Sequence, residues 1–161
     1  MSRAQFHLAF PVRDLQEART FYVDVIGCSE GRSASNHLDF DMFGHHVVAH
    51  LAPASPDDER LSTFDGRDVP IPHFGLNLEW DEWERLAERL RQSGARFRDL
   101  PHVRLQGRVG EHASLFVYDP SGNALEFKAF RDPRQVFSRD PLDGAPAPAG
   151  PVETAKRGDA Q

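Results

Sequence analysis

The stretch FHLAFPVRDLQEARTFYVDVIG, residues 6–27, decides the fold, because its plan returns in HFGLNLEWDEWERLAERLRQSG, residues 73–94. In the first, Phe6, Leu8, Phe10 and Val12 alternate as in a strand with one face on a core. Asp14, with Glu17 three positions on, reads as a helix N-cap in an aspartate variant of the capping box. Leu15, Ala18, Tyr22 and Val25 recur at helical spacing, and Gly27 stands where a C′ glycine stops a helix. In the second, Phe74, Leu76, Leu78 and Trp80 alternate, and Asp81 is the expected cap with Glu84 three positions on. Leu86, Ala87 and Leu90 then give the helical face, and Gly94 ends it. Asp14 to Gly27 and Asp81 to Gly94 are each 13 positions. His7 stands seven residues before its cap and His73 eight before its own.

Outward from each helix lie further strand-like stretches. They fall near Asn36–Phe40 and His46–Leu51 in one half, and near Arg96–Leu100, Ala113–Tyr118 and Ala124–Phe130 in the other. Turn signals, Asp41-Met-Phe-Gly44 and Asp119-Pro-Ser-Gly122-Asn123, separate the last two strands of each half. Each half reads as β-α-β-β-β, so the expected class is α+β, with two βαβββ modules. The expected boundaries are module one over 1–52, a patternless linker over 53–72, module two over 73–132 and a C-terminal extension over 133–161. From about Asp140 that extension is rich in Ala, Pro and Gly and reads as mostly disordered.

Bulk properties narrow the function. With 39% hydrophobic and 27% charged residues, the 161-residue chain has an ordinary globular composition. A net charge of −6 without a basic stretch argues against a nucleic-acid or anionic-membrane partner. No apolar run approaches the roughly 18 residues a membrane span needs, and MSRAQFHLAF lacks the pattern of a secretory signal. The single cysteine, Cys28, excludes an intrachain disulfide, so the expected compartment is the reducing cytoplasm. Cys28 itself reads as a small packed residue.

The chemistry-bearing residues fall on one side of this plan. Strand side chains alternate, so a helix covering Leu8 and Phe10 leaves His7, Ala9 and Pro11 facing the other way. His73, Gly75 and Asn77 face away from Phe74 and Leu76, and Glu126 faces away from Leu125 and Phe127. His46, Val48 and His50 share the corresponding face in module one. A lone histidine at a strand start is more often structural; equivalent histidines in two repeats, joined by a carboxylate, point to a metal. His7, His73 and Glu126 are therefore the expected ligands. Two imidazoles and one carboxylate with open positions suit Fe(II), and also accept Mn, Co, Ni or Zn. His50 stands at Glu126's place by repeat, with Val48 the ungapped equivalent, and is the candidate catalytic residue or fourth ligand. At least one of His45 and His46 is expected to be solvated, His102 and His112 to lie in a solvated loop, and Asn77, Tyr118 and Lys128 are weaker candidates for orienting polar groups.

These residues resemble the vicinal oxygen chelate superfamily of glyoxalases, extradiol dioxygenases and fosfomycin and bleomycin resistance proteins. The resemblance rests on His7 with Asp14, Ala18, Phe21-Tyr22 and Gly27, on His73-Phe74, and on Asp119-Pro-Ser-Gly122-Asn with Leu125-Glu126, and spans residues 5–130. It implies two paired βαβββ modules forming a half-open barrel around a metal cavity, with one metal held at His7, His73 and Glu126 and position 50 near a fourth place where glyoxalase-like members carry Glu. His50 there turns the reading toward a dioxygenase-like oxidoreductase acting on a small oxygen-chelating substrate. Phe116, where ring-cleaving members carry tyrosine, points away from a catechol. The alternatives are a glyoxalase- or isomerase-like lyase and a metal-free, resistance-type binding protein; the intact triad argues against the last. The resemblance is also compatible with a homodimer, and His7 and Glu126 of one site then come either from one chain or from two.

Overall fold

The computed structural model describes residues 4–53, 60–64 and 67–138. Module one comprises β1 (His7–Val12), α1 (Leu15–Arg19), β2 (Ser29–Ala34), β3 (His37–Met42) and β4 (His45–Leu51). A hairpin of β5 (Arg60–Phe64) and β6 (Arg67–Ile71) follows. Module two comprises β7 (Phe74–Asn77), α2 (Trp80–Gln92), β8 (Arg96–Arg104), β9 (His112–Tyr118) and β10 (Ala124–Phe130). The sheets run β1-β4-β3-β2 and β7-β10-β9-β8, so the two modules repeat one strand order. In each, the first strand lies parallel to the last and the other pairs are antiparallel. This is the expected α+β plan of two paired βαβββ modules. Among the described residues the two four-stranded sheets share no strand pairing, and no closed barrel forms.

Local chemistry explains the first helix. Asp14 Oδ1 accepts from the backbone N–H groups of Gln16 and Glu17, satisfying two donors that the first helical turn leaves open. The helix widens into π-helical turns over Thr20–Ile26 and stops at Gly27, whose φ of 96° suits a residue without a Cβ. The second start differs from expectation. Asp81 is not the cap: the chain enters α2 at Trp80 after an extended Glu79, and the Trp83 N–H bonds back to the Glu79 carbonyl. Asp81 and Glu82 lie instead in the first turn, where negative charge suits the positive end of the helix dipole.

One core joins the modules. Phe10, Val12, Phe40 and Val47 of the first sheet meet Leu115, Leu125 and Phe127 of the second, with Tyr22, Ile26, Trp83, Leu86 and Leu90 from the helical segments between. Each such large side chain contributes about 1.5–3 kcal/mol on burial. The Asp119–Asn123 turn clamps the junction. Asp119 accepts from the Tyr22 hydroxyl and from the N–H groups of Ser121 and Asn123, while the Asn123 amide donates to the Pro11 carbonyl.

Three local expectations change. β2 has no alternation to announce it, because all six of its residues are exposed on a sheet edge. Within the 53–72 linker, β5 and β6 pair from Arg60↔Ile71 to Phe64↔Arg67, so the segment is not patternless. His102 and His112 are strand residues of β8 and β9 rather than loop residues. His112 is buried, its ring 5.0 Å from that of Phe130 and a ring nitrogen on the Gly110 carbonyl. Of the extension, Pro133–Phe137 forms a single 3-10 turn capped by Asp132. The stretch from Asp140 expected to be disordered lies outside the described residues. No helix among the described residues is long and apolar enough to cross a membrane.

Candidate functional site

With the core on one side of each sheet, alternation puts Ser114, Phe116, Glu126 and Lys128 on the other side of the second. His73 joins them, immediately before β7 and after the Ile71–Pro72 cis bond. Its Nε2 lies 3.2 Å from Glu126 Oε2, and its Nδ1 lies 2.6 Å from the Pro70 carbonyl. The carbonyl and the carboxylate can each only accept, so in this arrangement Nδ1 donates to Pro70 and Nε2 donates to Glu126, the proton on Nε2 being the one an ion would displace. The ring stands edge-on to Phe116, centroids 5.1 Å apart.

Glu126 is 7% exposed and fully partnered: Oε1 accepts from the Ser114 hydroxyl at 2.8 Å, and Oε2 lies 2.9 Å from the Lys128 ammonium. Burial pushes its carboxyl up, but the His73 hydrogen bond, the Lys128 charge and hydrogen bond, and the Ser114 hydroxyl outweigh it and hold the carboxyl down at about 2. The same Glu126 bond raises the pKa of His73 above the usual imidazole value; partial burial opposes it and the Pro70 carbonyl adds to it.

Parallel pairing of β7 on β10 sets this arrangement, with Gly75 opposite Glu126. A Cβ on Gly75 would lie 1.7 Å from the Glu126 carbonyl oxygen, so only glycine permits the approach.

Module one places its histidines differently. His7 is exposed, and its Nδ1 lies 3.0 Å from Nδ1 of His46, the residue opposite it in the β1–β4 register. His46 Nε2 in turn lies 3.4 Å from Asp39 Oδ2. His50 is exposed, with its ring 5.6 Å from that of His37. The structure thus brings His73 and Glu126 together, and sets His7 beside His46 and His50 beside His37. Among the described residues no three His, Cys, Asp or Glu side chains are grouped so as to hold a metal within one chain.

Register also settles the repeat. Glu126 faces Gly75, two residues after His73, and Val48 faces Ala9, two residues after His7. Val48 is therefore the module-one counterpart of Glu126, and His50 corresponds to Lys128. Sequence reasoning passed over His46 and Asp39. The shared face of His46 and His50 was readable, but the pairing of His46 with His7 needs the parallel β1–β4 register, which no local signal carries.

Comparison with known proteins agrees with this architecture. A family model described as the glyoxalase/bleomycin resistance protein/dioxygenase superfamily matches residues 4–127. The chain belongs to that superfamily. A solved glyoxalase/bleomycin resistance protein/dioxygenase from Alicyclobacillus acidocaldarius is 34% identical, with a TM-score of 0.69 over 83% of this chain and 96% of that one. The fosfomycin resistance protein FosX from Listeria monocytogenes shares the fold at 18% identity, with a TM-score of 0.63 over 84% of this chain and 98% of that one. A second structure of FosX from Listeria monocytogenes, complexed with Mn(II) and sulfate, is 19% identical, with a TM-score of 0.59 over 80% and 91%. Members of this superfamily differ in chemistry, so the reaction has to be argued from the site.

Proposed function

We propose that this superfamily member is a divalent-metal-dependent enzyme acting on a small substrate that offers adjacent oxygens. In this reading His73 and Glu126 of one chain and His7 of a second copy hold the ion. The observation that carries it is the 3.2 Å separation of His73 Nε2 from Glu126 Oε2, with His73 Nδ1 anchored on a backbone carbonyl. Nitrogen and oxygen donors each about 2.1 Å from one ion, and at right angles about it, stand about 3.0 Å apart. A histidine that donates its far N–H to a carbonyl and presents the other nitrogen is the usual outer support of a ligand. The donor set therefore fits the ion.

When bound, the metal would polarise the substrate oxygens as a Lewis acid, and as Fe(II) it would also offer an open position to O₂. The chain's own residues do the rest. Lys128, ion-paired to Glu126 and one-third exposed, presents positive charge to an anionic substrate group. Phe116 fixes the His73 ring plane, and Ser114 fixes the rotation of the Glu126 carboxylate. His50, at the position matching Lys128, is the candidate proton carrier from the facing module. Fe(II) with a dioxygenase-like oxidation is the favoured chemistry. With Mn, Ni, Co or Zn the same charges serve an isomerase- or lyase-like reaction. The exposed β1 edge with His7, the β7 edge beside His73 and, among the described residues, the grouping of only two such donors within one chain support a homodimer. The single cysteine is in keeping with a cytoplasmic setting.

Mixing chains tests the reading. His7→Ala and Glu126→Gln proteins are each expected to lose Mn(II) binding. A refolded mixture regains one intact site per mixed dimer, because the wild-type His7 of one chain meets the wild-type Glu126 of the other. Failure to regain binding, or undiminished binding in His73→Ala, would overturn it. Oxygen uptake with Fe(II) then separates the oxidative from the redox-neutral chemistry.

A further inference from the structure

We infer that Asp39 and His46 form a carboxylate–imidazole relay that fixes the tautomer and ring orientation of His7, making them positioning residues for its Nε2. This rests on the proposal that His7 is a metal ligand. The geometry is continuous across three strands. Asp39 Oδ2 lies 3.4 Å from His46 Nε2, and His46 Nδ1 lies 3.0 Å from His7 Nδ1, the two rings stacked with centroids 4.7 Å apart.

With both imidazoles neutral, protons can be placed on this relay in one consistent way. The negative Asp39 carboxylate, 3.4 Å away, favours the hydrogen on the His46 nitrogen that faces it. A neutral imidazole has one N–H, so His46 Nδ1 is then an acceptor. The short contact to His7 consequently requires the hydrogen on His7 Nδ1. That leaves Nε2 of His7 as its lone-pair atom, the atom an ion needs. In module two the Pro70 carbonyl holds a proton on His73 Nδ1, so there too Nε2 is the nitrogen left to an ion, once the proton it donates to Glu126 is lost.

Neighbouring residues make Asp39 available for this. Asp41 lies directly opposite His46 in the β3–β4 register, yet its Oδ1 accepts from the Gly44 N–H in the turn. Asp39, diagonal to His46, supplies the carboxylate instead. It is mostly buried, and among the described residues the exposed Arg32, at 3.9 Å, and His37, at 4.0 Å, compete for it. On the adjacent β2, a Cβ at Gly31 would press to 3.2 Å from that of Asp39, so glycine leaves Asp39 its room.

Nitrogen-detected NMR of the metal-free protein, at a pH well above the ordinary imidazole value of about 6.5, reads the tautomers directly. His7 is expected as the Nδ1–H form and His46 as the Nε2–H form, and Zn(II) addition shifts His7 Nε2 while His46 keeps its tautomer. Calorimetry with Mn(II) then follows variants with unchanged circular dichroism. His46→Leu is expected to weaken binding about 10- to 100-fold. His46→Gln, whose amide oxygen can accept from His7, restores most of it, a rescue that a merely structural role would not give. Asp39→Ala weakens binding less than His46→Leu does. An Nε2–H tautomer at His7, a Zn(II)-induced tautomer switch at His46, or wild-type affinity in His46→Leu would overturn the relay. If the wild type binds no metal, the ligand reading fails, and the metal-free tautomers still decide the relay by themselves.

Discussion

Gly75 and Glu126 pack so closely that a methyl group on the first would fall 1.7 Å from the carbonyl oxygen of the second. The contact is with the main chain, which cannot rotate aside as a side chain would. Gly75→Ala is therefore expected to push β7 away from β10, at about 1–3 kcal/mol. It also separates His73 from Glu126. Urea denaturation and Mn(II) titration should both register the change; a variant with wild-type stability and metal affinity would show that the strand pair absorbs the methyl without moving the site.

The Tyr22 hydroxyl and Asp119 Oδ2, 3.0 Å apart and both buried, tie the first helical segment to the β9–β10 turn. Asp119 also organises that turn through the Ser121 and Asn123 N–H groups. Burial, the Asp119 charge and the hydrogen bond all raise the Tyr22 phenol well above its usual value. Tyr22→Phe keeps the ring contacts but removes a donor from a buried carboxylate. A loss of about 1–3 kcal/mol in equilibrium unfolding is expected. A neutral result would mean that Asn123, 2.7 Å from the same oxygen, suffices for it.

Cys28 is 4% exposed, and burial first, then the nearby Asp41 charge, pushes its thiol up to about 12. The native protein is expected to react with iodoacetamide only as fast as it opens, and the denatured protein at the rate of a free thiol. The pH dependence has a definite sign. Between the unfolded value of 9.0 and the folded value of about 12, the native state holds a proton that the unfolded state has lost. The contribution of Cys28 is therefore complete below pH 9 and declines as pH rises, by at most about 1.4 kcal/mol per unit. Subtracting the unfolding profile of Cys28→Ala isolates this slope; an unchanged difference across that range would refute it.

These predictions draw unequally on what the sequence carried. The faces of β1 and β10 were legible because Phe10, Val12, Leu125 and Phe127 alternate with residues of another kind, and alternation survives folding. Asp14 and Gly27 were legible because each performs its role within a few residues. Asp81 misled because an acidic residue is as stable in the first turn of a helix as at its cap. β2 was silent because an exposed edge strand needs no apolar face. The contact between His7 and His46 spans 39 positions and depends on which residue of β4 lies opposite the start of β1. No residue type encodes that choice. It follows from how β1 settles against β4 once Phe10 and Val47 enter the core.

Lys128 separates metal binding from turnover. Its ammonium lies 2.9 Å from Glu126 Oε2, the oxygen that also faces His73. An ion held there would meet a fixed positive charge, while Glu126 would divide its attraction between the two. Replacing Lys128 by methionine keeps the stem and removes the charge. Lys128→Met is thus expected to bind Mn(II) about 3- to 10-fold more tightly than the wild type, allowing for solvent screening at a partly exposed site. Glu126→Gln should bind far more weakly. Turnover is expected to move the other way in Lys128→Met, since an anionic substrate group loses its partner. Calorimetry with Mn(II) reads the first effect, and its dependence on salt reads the electrostatic origin. Weaker metal binding in Lys128→Met would mean that Lys128 orients the Glu126 carboxylate rather than opposing the ion, and the charge argument for the site would have to be reversed.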